Sequence, residues 1–161
     1  MAKKVLIIKL TSMGDLMHAF PALSEAAMHM PDIAFDWVVD QHFADVPSWH
    51  PNVDTIHRTN HRLWKKKPWS SATRRAINAV ATTLRQNHYD CVIDLQGNLK
   101  SAWVGWLSRH DIVGMDGPSV RERPAHWLYQ TQLSVPKDQH AITRQRQIMA
   151  QALHYMLSAT P

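Results

Sequence analysis

The sequence is poor in everything that would place it in a specialised structural class. Its one cysteine, Cys91, cannot form an internal disulfide, which excludes a disulfide-stapled secreted domain and favours a reducing compartment. No segment approaches the roughly 18 to 20 apolar residues that a membrane-spanning helix needs. The opening Met-Ala-Lys-Lys-Val-Leu-Ile-Ile has the start of a secretory leader, but Lys9 interrupts the apolar run too early for its hydrophobic core. Glycine is scarce, five in 161 residues, and the turn after the first apolar run holds only Gly14. That excludes a Walker phosphate loop and a three-glycine dinucleotide fingerprint. His57 and His61 have the i, i+4 spacing of some zinc sites, yet they lack a clear third ligand and the glutamate of the zincin pattern, so no metal site is expected. There is no internal repeat and no low-complexity linker.

What is present suits one soluble domain with a real core. A chain of 161 residues, 45% hydrophobic and 19% charged, matches a single globular unit. Eighteen Lys and Arg against thirteen Asp and Glu leave a net charge of +5, which suits an anionic partner without saying which. The eleven histidines, with an ordinary pKa of about 6.5, would add to that charge in acid. Cys91 sits in the run Cys-Val-Ile with no Lys or Arg beside it, and reads as inert core.

Hydropathy patterning alternates strand and helix. Val5 to Ile8 is a short, β-branched apolar run of the kind buried on both faces. Leu16, Ala19, Phe20, Leu23, Ala26, Ala27 and Met30 recur at helical spacing, with a kink expected at Pro21. Further strands are expected at Phe35 to Val39, Val53 to Ile56, within Tyr89 to Leu95, and weakly at Ile112-Val113. Between Phe43 and Trp49 a short helical or irregular piece is expected. Helices are expected around Ala76 to Leu84, Leu99 to Leu107, Glu122 to Tyr129 and His140 to Leu157. This order predicts an α/β domain, a Rossmann-like doubly wound and mostly parallel sheet. Ligands then bind beyond the carboxyl ends of the strands, at the turns after Ile8, Val39, Ile56 and Leu95.

Four sets of residues lie where chemistry is expected. In the first turn, Thr11, Ser12, Met13 and Gly14 bring backbone N–H groups near a ligand, and Asp15 is either a helix-starting carboxylate, held as the anion by the helix dipole, or a functional acid. In the basic stretch His61 to Trp69, Arg62, Lys65 and Lys66 are either a solvated loop or a clamp for phosphates and carboxylates. The interleaved Trp64 and Trp69 are suited to stacking on bases or entering a membrane interface. Past the Asp94-Leu95 strand end, Gln96, Gly97, Asn98 and Lys100 are either a plain turn or a hold for a sugar hydroxyl. Arg121 and Arg123 are either surface charges or, with a bidentate guanidinium, a carboxylate grip.

The string from Val5 to Leu23, containing Lys9-Leu10-Thr11-Ser12-Met13-Gly14-Asp15, closely resembles the opening of the lipopolysaccharide heptosyltransferases, particularly the type that adds the first heptose. The resemblance continues through Phe35 to Asp40, Val46 to His50, Tyr89 to Ser101, Gly114-Met115-Asp116 with Arg121-Glu122, and Gln139-His140-Ala141. It implies a GT-B glycosyltransferase, of which residues 1–161 would be the single N-terminal, acceptor-binding domain, with the C-terminal donor-binding domain absent. It further implies inverting transfer of heptose from ADP-heptose to a Kdo sugar of the lipid A inner core, with Asp15 as base and no metal or other cofactor. The basic loop and Arg121 fall at acceptor-contacting positions of the family. Expected partners are Kdo-lipid A, ADP-heptose through a missing or separate domain, and the cytoplasmic face of the inner membrane as a peripheral surface, but not nucleic acid. On this reading the protein is cytoplasmic and the chain alone is inactive. The competing expectation is a non-catalytic basic module that binds nucleic acid or an anionic membrane.

Overall fold

The computed structural model describes residues 3–159, so the outermost residues of the expected 1–161 domain lie outside the described part. The strands are β1 (Lys4–Ile8), β2 (Ala34–Asp40), β3 (Val53–Thr59), β4 (Cys91–Asp94), β5 (Ile112–Met115) and β6 (Thr131–Leu133). The α-helices are α1 (Met13–Met17), α2 (Phe20–His29), α3 (His61–Lys66), α4 (Ser71–Gln86), α5 (Leu99–Leu107) and α6 (Ala141–Leu153).

The strands form one sheet in the order β3-β2-β1-β4-β5-β6, and every adjacent pair runs parallel. The continuous apolar character of Val5, Leu6, Ile7 and Ile8 places β1 at the centre, where all four are fully buried. Helices α2 and α6 pack together, as do α4 and α5, and right-handed crossovers on either side of β1 put these pairs on opposite faces. The chain reverses its direction of travel across the sheet between β1 and β4. A crevice therefore opens beyond the carboxyl ends of these two strands.

Several local expectations are revised. The expected single helix with a kink at Pro21 is two helices, broken at His18-Ala19, and Pro21 sits in the first turn of α2, where its missing N–H has no helical acceptor to lose. The basic stretch expected as a loop begins as helix α3, started by Asn60, whose side chain accepts from Leu63 N at 3.3 Å. The piece between Phe43 and Trp49 comprises short 3₁₀ turns at Gln41–Phe43 and Pro47–Trp49. The Glu122 to Tyr129 segment is likewise a 3₁₀ turn, Arg123–Leu128. Helix α6 stops at Leu153, because His154 adopts a left-handed conformation with φ of 62°. The polar strand β6 has no apolar run and exists through its pairing with β5.

Candidate active site

Strand β1 delivers its chain directly into the crevice. Ser12 is extended at the start of α1, and the Asp15 carboxylate reaches back to it. One carboxylate oxygen, Oδ2, accepts from both Ser12 N and Ser12 Oγ at 3.3 Å. These contacts fix the carboxylate, while among the described residues Oδ1 has no such tether. Asp15 is half-buried and faces a cleft of about 370 Å³, so it is neither turned into the core nor left on an open surface.

The facing wall is the turn after β4, organised by the fully buried Asp94. Its Oδ1 accepts from Gln96 N at 2.9 Å and Gly97 N at 3.1 Å; its Oδ2 accepts from Ser101 Oγ at 2.8 Å and from the Tyr129 hydroxyl. Burial nevertheless pushes the Asp94 carboxyl above its ordinary range, the four donors opposing that rise. Burial and the Asp94 carboxylate likewise push the Tyr129 phenol well up. The turn needs φ of +74° at Gly97, a conformation glycine adopts without the steric cost of a Cβ. Gly97 O then accepts from Glu122 N at 2.9 Å, bringing neighbouring Arg121 to the cleft. Gln96 faces the first turn, its Oε1 accepting from Leu10 N at 3.3 Å.

The cleft is strongly cationic. Lys9, Arg121, Lys137 and Arg144 line it against the carboxylates of Asp15 and Asp94. Lys9 is only 7% exposed and donates its ammonium to Leu95 O at 3.2 Å. Burial pushes Lys9 down to about 8; Asp15 and Asp94 oppose the shift, and Arg121 and Arg144 add to it.

A second cavity of about 320 Å³ opens beside the first, lined by Thr11, Asp40, His61, Arg62, Lys65 and Lys100. Burial, then the Lys100 charge, lowers the His61 pKa and favours its neutral form. The expected site residues thus divide between two cavities at one sheet edge. Asp15, Gln96, Gly97 and Arg121 line the first; Thr11, Arg62, Lys65 and Lys100 line the second. Ser12, Met13 and Gly14 are exposed on the connecting turn, and Lys66 is exposed outside both cavities.

Trp64 is a correction. Its ring, expected to be presented to a ligand or a base, is 7% exposed and packs against His61 at 5.3 Å and Trp103 at 6.2 Å, because the stretch folds as a helix whose apolar side faces inward. Trp69, by contrast, is 89% exposed. The His57 and His61 pair is divided: His57 is buried, 3.2 Å from the Tyr89 hydroxyl, while His61 lines the second cavity. Among the described residues, no group of three or more His, Cys, Asp or Glu is placed to hold a metal. Burial pushes the half-buried Cys91 thiol up to about 11, as an inert thiol requires.

Sequence reasoning missed Lys9, Asp94, Lys137, Arg144 and Gln145. A lysine closing a fully apolar strand was the available signal for Lys9. Arg144 and Gln145 come from α6, more than 120 residues along the chain from Asp15, with no local pattern to mark them.

Residues 77–161 match the model of glycosyltransferase family 9 (heptosyltransferase). The chain is 41% identical over 155 residues to lipopolysaccharide heptosyltransferase 1 of Pseudomonas aeruginosa, covering 96% of this chain and 44% of that relative. It is 39% identical over 153 residues to the Escherichia coli K12 protein of the same name, covering 94% of this chain and 48% of the relative. The chain thus spans about half the length of these curated relatives. The structure of E. coli heptosyltransferase WaaC with ADP-2-deoxy-2-fluoro heptose superposes with a TM-score of 0.95 at 38% identity, covering 98% of this chain and 50% of that one. E. coli ADP-heptose lps heptosyltransferase II, at 17% identity and a TM-score of 0.69, shares the fold. The parallel sheet, the crevice at its reversal point and the family match over more than half of the sequence lead to one assignment: the chain belongs to glycosyltransferase family 9, the heptosyltransferases.

Proposed function

We propose that this chain is the acceptor-binding half of an ADP-heptose:lipopolysaccharide heptosyltransferase, which transfers heptose with inversion to a Kdo sugar of the lipid A inner core. The observation that carries the reading is Asp15, whose carboxylate is tethered through one oxygen and faces a cationic cleft. In the reaction, an acceptor hydroxyl attacks the anomeric carbon of the donor and the bond to ADP breaks on the opposite face. Asp15 takes the hydroxyl proton as that oxygen becomes acidic with bonding. Its contribution is chiefly position, which the Ser12 tether supplies.

The cations of the first cleft suit the Kdo carboxylate, and Arg62, Lys65 and Lys100 of the second suit phosphates of lipid A. No helix among the described residues is long and apolar enough to cross a membrane. The reading places the protein in the cytoplasm, at the membrane surface where its acceptor lies. ADP-heptose is a substrate held by a further domain; the reading assigns no metal and no cofactor, and residues 1–161 alone bind acceptor without turning over.

A second reading rests on the segment between Asp54 and Asp90, which contains no acidic residue, carries eight Lys and Arg and exposes Trp69. Such a surface suits a non-catalytic module for nucleic acid or an anionic membrane. Asp15→Ala and Lys65→Ala separate the two readings when the chain is joined to a family donor domain. The enzyme reading expects Asp15→Ala to abolish heptose transfer while acceptor binding persists. No heptose transfer by the unsubstituted chain, with binding of nucleic acid or anionic vesicles unchanged in Asp15→Ala and lost in Lys65→Ala, would support the module instead.

A further inference from the structure

Helix α5 is apolar on more sides than the core covers. Ala102, Val104 and Gly105 are buried, and a Cβ at Gly105 would lie 2.7 Å from Ile112 Cδ1 and 3.2 Å from Ile8 Cδ1, so this side of the helix sits directly on β1 and β5. On the outer side Leu99, Trp103 and Trp106 follow at i, i+4 and i+7, a single stripe along about 10 Å of helix. Leu99 is 47% and Trp106 58% exposed, while Trp103 is half-buried beside Trp64, their ring centroids 6.2 Å apart. Trp127, 75% exposed, prolongs the patch: its neighbour Leu128 lines one cavity with Trp106, and the 3₁₀ turn that carries both packs on α5. Large apolar side chains gathered on one outer face mark a surface that takes a partner.

Charge selects among partners. Helices α3, α4 and α5 carry Lys and Arg and no Asp or Glu, and both ends of the stripe are cationic. At the Leu99 end, Lys100 shares a cavity with Arg62 and Lys65. At the Trp106 end a cavity of about 260 Å³ gathers Arg85, Arg109 and His110 against one acid, Asp111, with Arg85 held there by its Nε donating to Leu107 O at 2.8 Å. A second copy of the chain fits badly, since a two-fold pairing of the stripe sets cations against cations at both ends. A nucleic-acid strand would answer the cations, but base stacking gives Leu99 no part beside the indoles. A bilayer with anionic headgroups answers all three features: indoles settle at headgroup level, the aliphatic side chain reaches below them, and Lys and Arg meet the lipid phosphates.

We propose that the outer stripe of α5, prolonged by Trp127, is the face by which this protein docks on an anionic phospholipid bilayer, Trp106 and Trp127 entering the interface while Arg85 and Arg109 take lipid phosphates. This deepens the proposed function and rests on it for its purpose. Lys100, the second residue of the helix, lines the cavity beside the Asp15 cleft, so a bilayer lying along α5 meets the mouth of the crevice. A lipid-anchored acceptor then presents its sugars without leaving the membrane.

The test is co-sedimentation of the 161-residue chain with vesicles of phosphatidylcholine alone or of an equimolar mixture with phosphatidylglycerol. Partitioning is expected on the mixed vesicles and should fall with added salt. Arg109→Gln should weaken it about fivefold, as loss of one cation at such a surface does. Trp106→Gln and Trp127→Gln should each weaken it on the order of tenfold through lost apolar contact. Their Tm should stay at the wild-type value, because both rings are exposed. Lipids with bromine on their chains should quench the tryptophan fluorescence of the wild type, and quench less in Trp106→Phe, which keeps an apolar ring and removes one emitter.

Equal partitioning of the wild type and a Trp106→Gln, Trp127→Gln double variant would overturn the docking face, and so would equal partitioning on neutral and mixed vesicles. Binding kept in that double variant and lost in Trp69→Gln would move the contact to the loop after α3 and overturn it as well. A dimer in sedimentation velocity that dissociates in Trp106→Gln would assign the stripe to a second copy. A single-stranded oligonucleotide bound more tightly than the vesicles, and as sensitive to Trp106→Gln, would assign it to nucleic acid. Absence of vesicle binding would sink this inference alone and leave the Asp15 reading standing. Vesicle binding that responds to Trp106→Gln, with no heptose transfer by the chain joined to a donor domain, would sink the proposed function and leave the docking face in place.

Discussion

The ion pair between Glu25 of α2 and Arg146 of α6 offers a direct test of how the site is held. Arg146 Nε donates to Glu25 Oε2 at 2.8 Å and Nη2 to Oε1 at 3.2 Å, with side chains only 9% and 7% exposed. Ser158 N also donates to that carboxylate, at 2.7 Å. Burial by itself would push the Glu25 carboxyl up, but the bonds from Arg146 and Ser158 outweigh it and hold the pKa below 4.5. Arg146→Met strands a buried carboxylate, at a cost of about 3 to 5 kcal/mol. At roughly 2 to 4 °C per kcal/mol for a domain of this size, Tm should fall by on the order of 10 °C. A depressed acid pKa contributes stability above the unfolded value, lost as pH falls through the folded one. The penalty, read by urea unfolding, should therefore be full at pH 7 and shrink toward pH 4 as the stranded carboxyl protonates. Glu25→Leu with Arg146→Met should return close to wild type, since removing both charges removes the desolvation cost. A single-variant cost below about 1 kcal/mol, or a double variant as unstable as the single, would refute the argument.

Three shorter tests address Lys9 and Gly97 of the cleft and Cys91 at the far end of β4. Lys9→Met should stabilise the fold at pH 7 by on the order of 3 kcal/mol, since a lysine pKa lowered to about 8 means the protonated form is destabilised by folding. In the wild type the same penalty fades as pH rises from 8 toward the unfolded value, so stability should increase over that range, measured by denaturant melts at stepped pH. Gly97→Ala should cost about 1 to 2 kcal/mol, because the residue has φ of +74° and an added Cβ would lie 3.3 Å from Val120 Cγ2; an unchanged urea midpoint would contradict it. Cys91, its thiol pushed up to about 11, should react with iodoacetamide at pH 8 far more slowly than in the urea-unfolded chain, followed by mass spectrometry.

What the sequence determined by itself was the class of fold and the place of its active edge. Four fully apolar residues from Val5 to Ile8 can be buried only in the middle of a parallel sheet, and the alternation of periods fixes the crossovers. From that, the turns carrying Asp15 and Gln96 had to share the carboxyl edge. Local pattern failed where contacts from elsewhere decide. Thr131 to Leu133 is strand only because β5 offers it hydrogen bonds, and Trp64 turned inward because a helical turn places it over His61 and Trp103. Arg144 and Gln145 entered the cleft only once α6 had docked on α2, through a pair 121 residues apart in sequence. Hydrophobic periodicity is a short-range signal that reports which face is buried. The partners a buried polar group meets depend on distant segments converging, so the cleft of Lys9, Asp15, Asp94 and Gln145 exists only in the folded chain.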